Sequence, residues 1–276
     1  MKRILKCWLT VTLGFAVASC SKDSKESSLE SSVHSIVDSG HKGVQLWEDG
    51  PYWAETNIGA EKPEDGGYYF WWGDVIGHRH DGNGWVARDG SKSSFGICPT
   101  NDKDIDALKR EGWITENGVL TPKHDAAHMH WGGKWRMPTK QELDDLESKC
   151  DWTAEMMNGE NGYVVRGKGD YASNSIFLPD AGYGKGTSLC RYGSHGAFWS
   201  SVPGWKSYHA SSLSLNSPSD HYTYDSPNDH HYTHDGSRNF GRSVRPVQGP
   251  VTAVGGSKFP CRNFGRSVRP VQGFTK

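Results

Sequence analysis

Helix signals in this chain are few and short, and they stop at Cys150. Thr139-x-x-Glu142 is a capping box, which satisfies free backbone N–H groups at a helix start. Leu143 and Leu146 give that helix a buried stripe, and Lys149 falls in its last turn, where the dipole favours a cation. Residues 101–112 have an Asn N-cap, Ile105 and Leu108 at i, i+3, and Gly112 as a stop, which predicts a short helix. Residues 125–129 hold one further turn. After Cys150 the apolar residues come in short runs divided by Gly, Asn and Asp. Residues 163–166, 175–178, 197–201, 211–215 and 242–247 read as strands. Alternation in 211–215 places Leu213 and Leu215 inward and Ser212 and Ser214 outward.

Before the helices, residues 44–47 and 52–54 read as strands around a Glu-Asp-Gly-Pro turn. The run Tyr68-Tyr69-Phe70-Trp71-Trp72 reads as a buried strand, and 78–99 as Gly- and Ser-rich loop. With 12 Trp, 11 Tyr, 9 Phe and 34 Gly, the core is aromatic and the chain loop-rich, which excludes a helix bundle. The 276 residues fit one domain of about 200 residues with flanking segments. A net charge of -1 gives no case for nucleic acid as a partner.

The first flank, 1–19, is a signal peptide: Lys2, Arg3 and Lys6 precede an apolar run of about 12 residues, too short to span a bilayer. It ends Val17-Ala18-Ser19-Cys20, which resembles a bacterial lipobox and makes Cys20 the lipidation site. An ordinary cleavage site is the alternative, and both place the protein outside the cytoplasm. Residues 20–41, Ser-rich and charged, are expected to be a disordered tether. Cys98, Cys150, Cys190 and Cys261 remain for disulfides or free thiols, with three pairings open.

Residues 208–236 are compositionally biased. Ser, His, Tyr, Asp, Asn and Thr make up 23 of these 29 residues, and Lys, Glu, Gln, Met and Trp are absent. Those five types fill 51 of 276 positions, so drawing none has a chance of about 0.3%. Tyr with small polar residues is the chemistry of binding loops. Directly after comes RNFGRSVRPVQG at 238–249, repeated identically at 262–273. One copy is expected to complete a sheet and frame the biased stretch. The other, within 250–276, is expected to be a loosely attached extension.

Five blocks in order resemble a known family. They are 44–53 with NIGA (57–60) and PEDGGYYFWWG (63–73), WGGKWRMPTKQEL (131–143), NSIFLPDAGY (174–183), FWSS (198–201) and GRSVRPV (241–247). Over 42–249 the chain resembles the Fibrobacter-type major paralogous domain, common in lipoproteins and secreted proteins of Bacteroidetes and related to the formylglycine-generating-enzyme branch of the C-type lectin fold. The resemblance implies an α+β, C-type-lectin-like fold, with two helices packed on small antiparallel sheets and much loop. Some proteins of that fold are variable proteins of diversity-generating retroelements, in which adenines of a template are copied with errors. An Asn codon AAY then cannot become Lys, Glu, Gln, Met or Trp, the five types missing here. The diversified segment of such proteins also lies just before the terminal strand.

Other chemistry fits less well. Asp229 to Asp235 holds three His and two Asp in seven residues, and His124, His128 and His130 form a second group, but fixed metal geometry needs support from surrounding side chains. No Glu-Pro-Asn, Gln-Pro-Asp or Trp-Asn-Asp calcium-lectin tripeptide occurs, and no hydrolase, P-loop or Rossmann fingerprint. Cys190 and Cys261 are the only late cysteines for a copper site. The expectation is a surface-exposed, outer-membrane lipoprotein with no enzymatic activity and no cofactor, presenting a variable segment at 205–237. Tyr208, His209, Ser212, Ser214, Asn216, Asp220, Tyr222, Tyr224, Asn228, His230, Tyr232 and His234 would contact a protein or glycan on another cell or phage. The alternatives are a formylglycine-generating-type or metal-dependent enzyme, or a structural envelope protein with an inert polar loop.

Overall fold

Tight turns, more than helices, organise the chain in its computed structural model, which describes residues 34–217 and 230–251. First come β1 (Ser35–Asp38), β2 (His41–Gln45), β3 (Tyr52–Ala54), β4 (His78–His80), β5 (Trp85–Ala87) and β6 (Lys92–Ser93). Then follow α1 (Ile105–Arg110), α2 (Ala126–Trp131), β7 (Trp135–Arg136) and α3 (Lys140–Lys149). The remaining elements are strands: β8 (Asp151–Met157), β9 (Glu160–Arg166), β10 (Ser175–Pro179), β11 (Ala181–Lys185), β12 (Ser188–Cys190) and β13 (His195–Pro203). β14 (His209–Asn216), β15 (His231–Ser237) and β16 (Val247–Gln248) end the list. The sheets run β1-β2-β3-β16-β7, β10-β9-β8, β12-β11-β13-β14-β15 and β4-β5-β6.

This overturns the expected α+β, C-type-lectin-like fold. Strand accounts for 41% and helix for 14%, with three short helices among many small sheets, so the protein is mostly β and lacks the helix-plus-sheet arrangement of that fold. The physical reasons are local. Asp81 Oδ1 accepts from the N–H groups of Asn83 (2.8 Å) and Gly84 (2.9 Å), and Asp89 Oδ1 from that of Ser91 (2.9 Å). These side-chain-closed turns fold the expected 78–99 loop into the β4-β5-β6 sheet. Asn158 (φ 50°) and Gly159 (φ 94°) make the left-handed two-residue turn that pairs β8 with β9. The expected 101–112 helix shrinks to the six residues of α1. Its N-cap is Asp104, whose Oδ1 accepts from the Ala107 N–H at 2.8 Å, while the carbonyls of Thr100 and Lys103 before it accept from Arg238 Nη1 at 2.6 and 3.0 Å.

The ordered domain also starts earlier than expected. β1 lies in the supposed tether yet pairs with β2, Ser35 opposite Val44 and Asp38 opposite His41. Asp38 is fixed by Gln248 Nε2 at 2.7 Å and its carbonyl by Trp135 Nε1 at 3.0 Å. The aromatic run at 68–72 is largely buried but joins its neighbours only through single bridges, Tyr69 to His78 and Phe70 to Arg242.

α3 forms as its capping box dictates, with Thr139 and Glu142 exchanging bonds and Arg136 gripping the Glu142 carboxylate at 2.8 and 2.6 Å. Its Leu143 and Leu146 pack with Trp53, Val165, Phe198, Leu213 and Leu215. Phe70, Trp72, Leu108, Met137, Trp199 and Val244 belong to a second cluster, and Tyr69, Trp85 and Phe95 to a third. Among the described residues no helix is long and apolar enough to cross a membrane.

Candidate functional site

β14 runs between β13 and β15, with Ser212 opposite Trp199 and His234, and Ser214 opposite Ala197 and Tyr232. Leu213 and Leu215 face α3, as alternation requires. The serine face does not meet solvent: Ser212 is 0% exposed, Ser214 1% and Asn216 3%. The first copy of the repeat lies over it. Arg242 Nη1 donates to Ser212 Oγ at 3.0 Å, and its guanidinium stacks 4.6 Å from the Trp199 ring. A Cβ at Gly236 would overlap that guanidinium, so the position has room only for glycine. His234 Nε2 lies 2.7 Å from Ser214 Oγ, and His195 Nδ1 lies 3.1 Å from Asn216 Oδ1.

The covered face carries a buried positive charge. Among the described residues no carboxylate lies within ion-pair reach of Arg242, and burial pulls its guanidinium down to about 10. Burial, and then the charge of Arg242, pushes His234 down to about 3. Burial, and then Arg191, does the same to His195. Both imidazoles are therefore neutral, since a charged form would lose its hydration beside a buried cation.

The other expected contact residues are divided between the two ends of β14. At one end, the β13–β14 connection presents Trp205, 69% exposed, and Tyr208, 41% exposed. Asp235 holds that tip by accepting from the Trp205 N–H at 2.9 Å and from Ser211 Oγ at 3.1 Å. Lys206 Nζ sits 4.5 Å from the Trp205 ring and 5.6 Å from that of Tyr208, and half-buried His209 stands edge-on to Tyr208. At the other end, the Asn216 N–H donates to the His230 carbonyl at 2.6 Å. Eight strand residues separate these ends by roughly 25 Å. Tyr232 and His234 share a half-buried face of β15, while His231 points away and stacks on Trp152 at 4.1 Å. Asp220, Tyr222, Tyr224, Asn228 and Cys20 lie outside the described residues.

The second histidine group does not converge. His124 stacks on Trp113, His130 Nε2 bonds the Val75 carbonyl at 2.9 Å, and His124 precedes α2 while His128 lies within it. Cys98 and Cys150 are buried, Cys190 is half-buried, and all three are unbridged; Cys261 lies outside the described residues. Sequence reasoning made Trp205 the boundary of the variable segment without counting it among the contact residues, and missed Arg242 as a site residue. A lone Trp beside Gly204 in a polar run was the available signal for the first; nothing local marked the second. No family model matches the chain, and no curated protein or solved structure matches it.

Proposed function

We propose that this chain is a cell-surface lipoprotein that presents a diversified binding segment, 205–237, to a protein or glycan on another cell or phage. The observation that carries this reading is the absence of Lys, Glu, Gln, Met and Trp from 208–236. Adenine-directed change of Asn codons removes those five types together. Two geometric facts support it. The 218–229 span is bounded by the paired ends of β14 and β15, with Leu215 opposite His231, and the Trp205–Tyr208 tip is fixed by Asp235. A rigid frame lowers the entropy lost on binding.

The contact set is narrower than the whole segment. Ser212, Ser214, Asn216 and His234 serve the frame, because they bond to each other, to His195 and to Arg242. Tyr208, His209, His230 and Tyr232 remain for the ligand, with Asp220, Tyr222, Tyr224 and Asn228. Cys20 supplies the lipid anchor.

Sequencing the DNA around this gene tests the proposal. The expected result is a near-copy of the segment encoding 197–249, with AAY codons where this chain has Tyr, His, Asp or Ser, beside a reverse transcriptase. Mismatches at bases other than adenine, or no such copy, would refute diversification.

A further inference from the structure

A cavity of about 310 Å³ opens against the paired strands β8 and β9, with Ser217, just past the end of β14, in its lining. Glu155, Met156, Asn161, Asp180 and Ser217 contribute to its walls. Asp180, between β10 and β11, is 4% exposed, and its Oδ1 has no hydrogen-bond partner among the described residues. Its backbone cannot retreat: the N–H donates to the Asn161 carbonyl at 2.8 Å, and the carbonyl accepts from the Gly193 N–H at 2.7 Å. Arg191, whose charge opposes the effect of burial on Asp180, directs Nη2 to Asn216 Oδ1 at 3.4 Å.

A buried carboxyl oxygen without a donor is costly, and folded chains seldom keep one without a use. Burial raises this carboxyl to about 6, opposed by Arg191, so it ionises near neutral pH and gains most from a partner that brings positive charge. The partner is not a hard metal ion. Those need six or more oxygens, whereas the walls bring two carboxylates, and no group of three His, Cys, Asp or Glu among the described residues could hold a metal. The volume suits the end of a basic side chain.

We propose that the Asp180 cavity is a subsite for an ammonium or guanidinium group, bound by the Asp180 carboxylate with Glu155 on the exposed wall. The ligand class is a protein or peptide presenting Lys or Arg. The subsite stands whether or not 205–237 is diversified, so the two proposals fail separately.

The test is an NMR titration of the full chain carrying ¹³C-labelled aspartate, with N-acetylarginine amide and with n-butylammonium. Acetamide and calcium chloride serve as the neutral and metal controls. The Asp180 carboxyl signal should shift saturably with both organic cations and not with acetamide. Affinity should fall about tenfold per pH unit below the carboxyl pKa. Arg191, Tyr163 and Glu155 are the other ionisable groups around Asp180, and Glu155→Gln separates the contribution of the wall carboxylate. Asp180→Asn should abolish binding and Glu155→Gln only weaken it. No saturable shift in the wild-type chain, binding that survives Asp180→Asn, or calcium acting at lower concentration than either organic cation would overturn the proposal. The wild-type titration decides the matter even where a variant fails to fold.

Discussion

Arg245 is buried, and among the described residues no carboxylate lies within ion-pair reach of it; Glu55 acts on its charge from farther off. The Arg245 donors go to Asn57 Oδ1 (2.8 Å), to the carbonyls of Ala54 and Glu55 (both 3.1 Å) and to that of Phe177 (2.8 Å). Burial lowers its guanidinium to about 9. Arg238 does the same for the carbonyls of His209, Thr100 and Lys103. In a chain of short strands, many loop carbonyls have no ladder partner, and a five-donor guanidinium reaches several at once. Lys cannot reproduce that fork. Arg245→Lys should therefore cost about 2–4 kcal/mol, seen as a lower urea midpoint with unchanged slope. His195 and His234 set the acid response. Each has a folded value of about 3 against 6.5 unfolded, so their stabilisation is full above pH 6.5 and is lost as pH falls toward 3. Asp180, about 6 folded against 3.8 unfolded, acts in the opposite sense, losing its contribution as pH rises through 6. Over about pH 6 to about pH 4 the two histidines outweigh Asp180, and His41, His124, His130 and His209, which burial also lowers, act with them while buried Asp125 acts with Asp180, so stability should fall as the solution is acidified. Urea unfolding at a series of pH values measures that fall, and His234→Gln should flatten it.

At the scale of elements, β14 carries two kinds of position under one composition. Ser212 and Ser214 lie between the Arg242 guanidinium and the His234 ring, so Ser212→Tyr or Ser214→Tyr should destabilise by more than about 3 kcal/mol and leave the protein insoluble. Tyr208→Ser, at the exposed tip, should leave the melting temperature unchanged. Soluble yield and thermal melts distinguish the two, and a tolerant Ser212 would return the serine face to the ligand. Alternation in the sequence separated this face from that of Leu213 and Leu215, but it could not say that residues 30 positions later would cover it. α3 was legible because its capping box and leucine stripe are local. β8 was not: Ala154 and Glu155 are poor strand formers, and the Asn158-Gly159 turn that sets their ladder with β9 is the local signal. The β4-β5-β6 sheet had its signal in Asp81-Gly82 and Asp89-Gly90, hidden by the polar residues around it. Trp205 and Asp180 matter through partners distant in sequence, which no single stretch records.

For the whole molecule, the proposed anchor predicts that Cys20→Ser should end incorporation of radiolabelled palmitate and release the protein from the membrane fraction. The repeat permits a sharper test. The copy at 238–249 is integral to the fold: it supplies the three arginines buried among the described residues, and β16 joins β3 to β7. Ending the chain after Val251 keeps every strand of the four described sheets and should leave the melting temperature unchanged. Ending it after Ser237 should abolish folding. Residues 262–273 are identical to 238–249, so side-chain chemistry alone cannot make the first copy the occupant. Connection can. β15 runs directly into Arg238, whereas seating the second copy would insert 24 residues between β15 and that seat, and closing a loop costs entropy that grows with its length. Arg245→Lys should therefore destabilise the full chain and the chain ending at Val251 by the same amount, measured by urea unfolding of both. A smaller loss in the full chain would mean that the second copy takes the seat when the first is damaged.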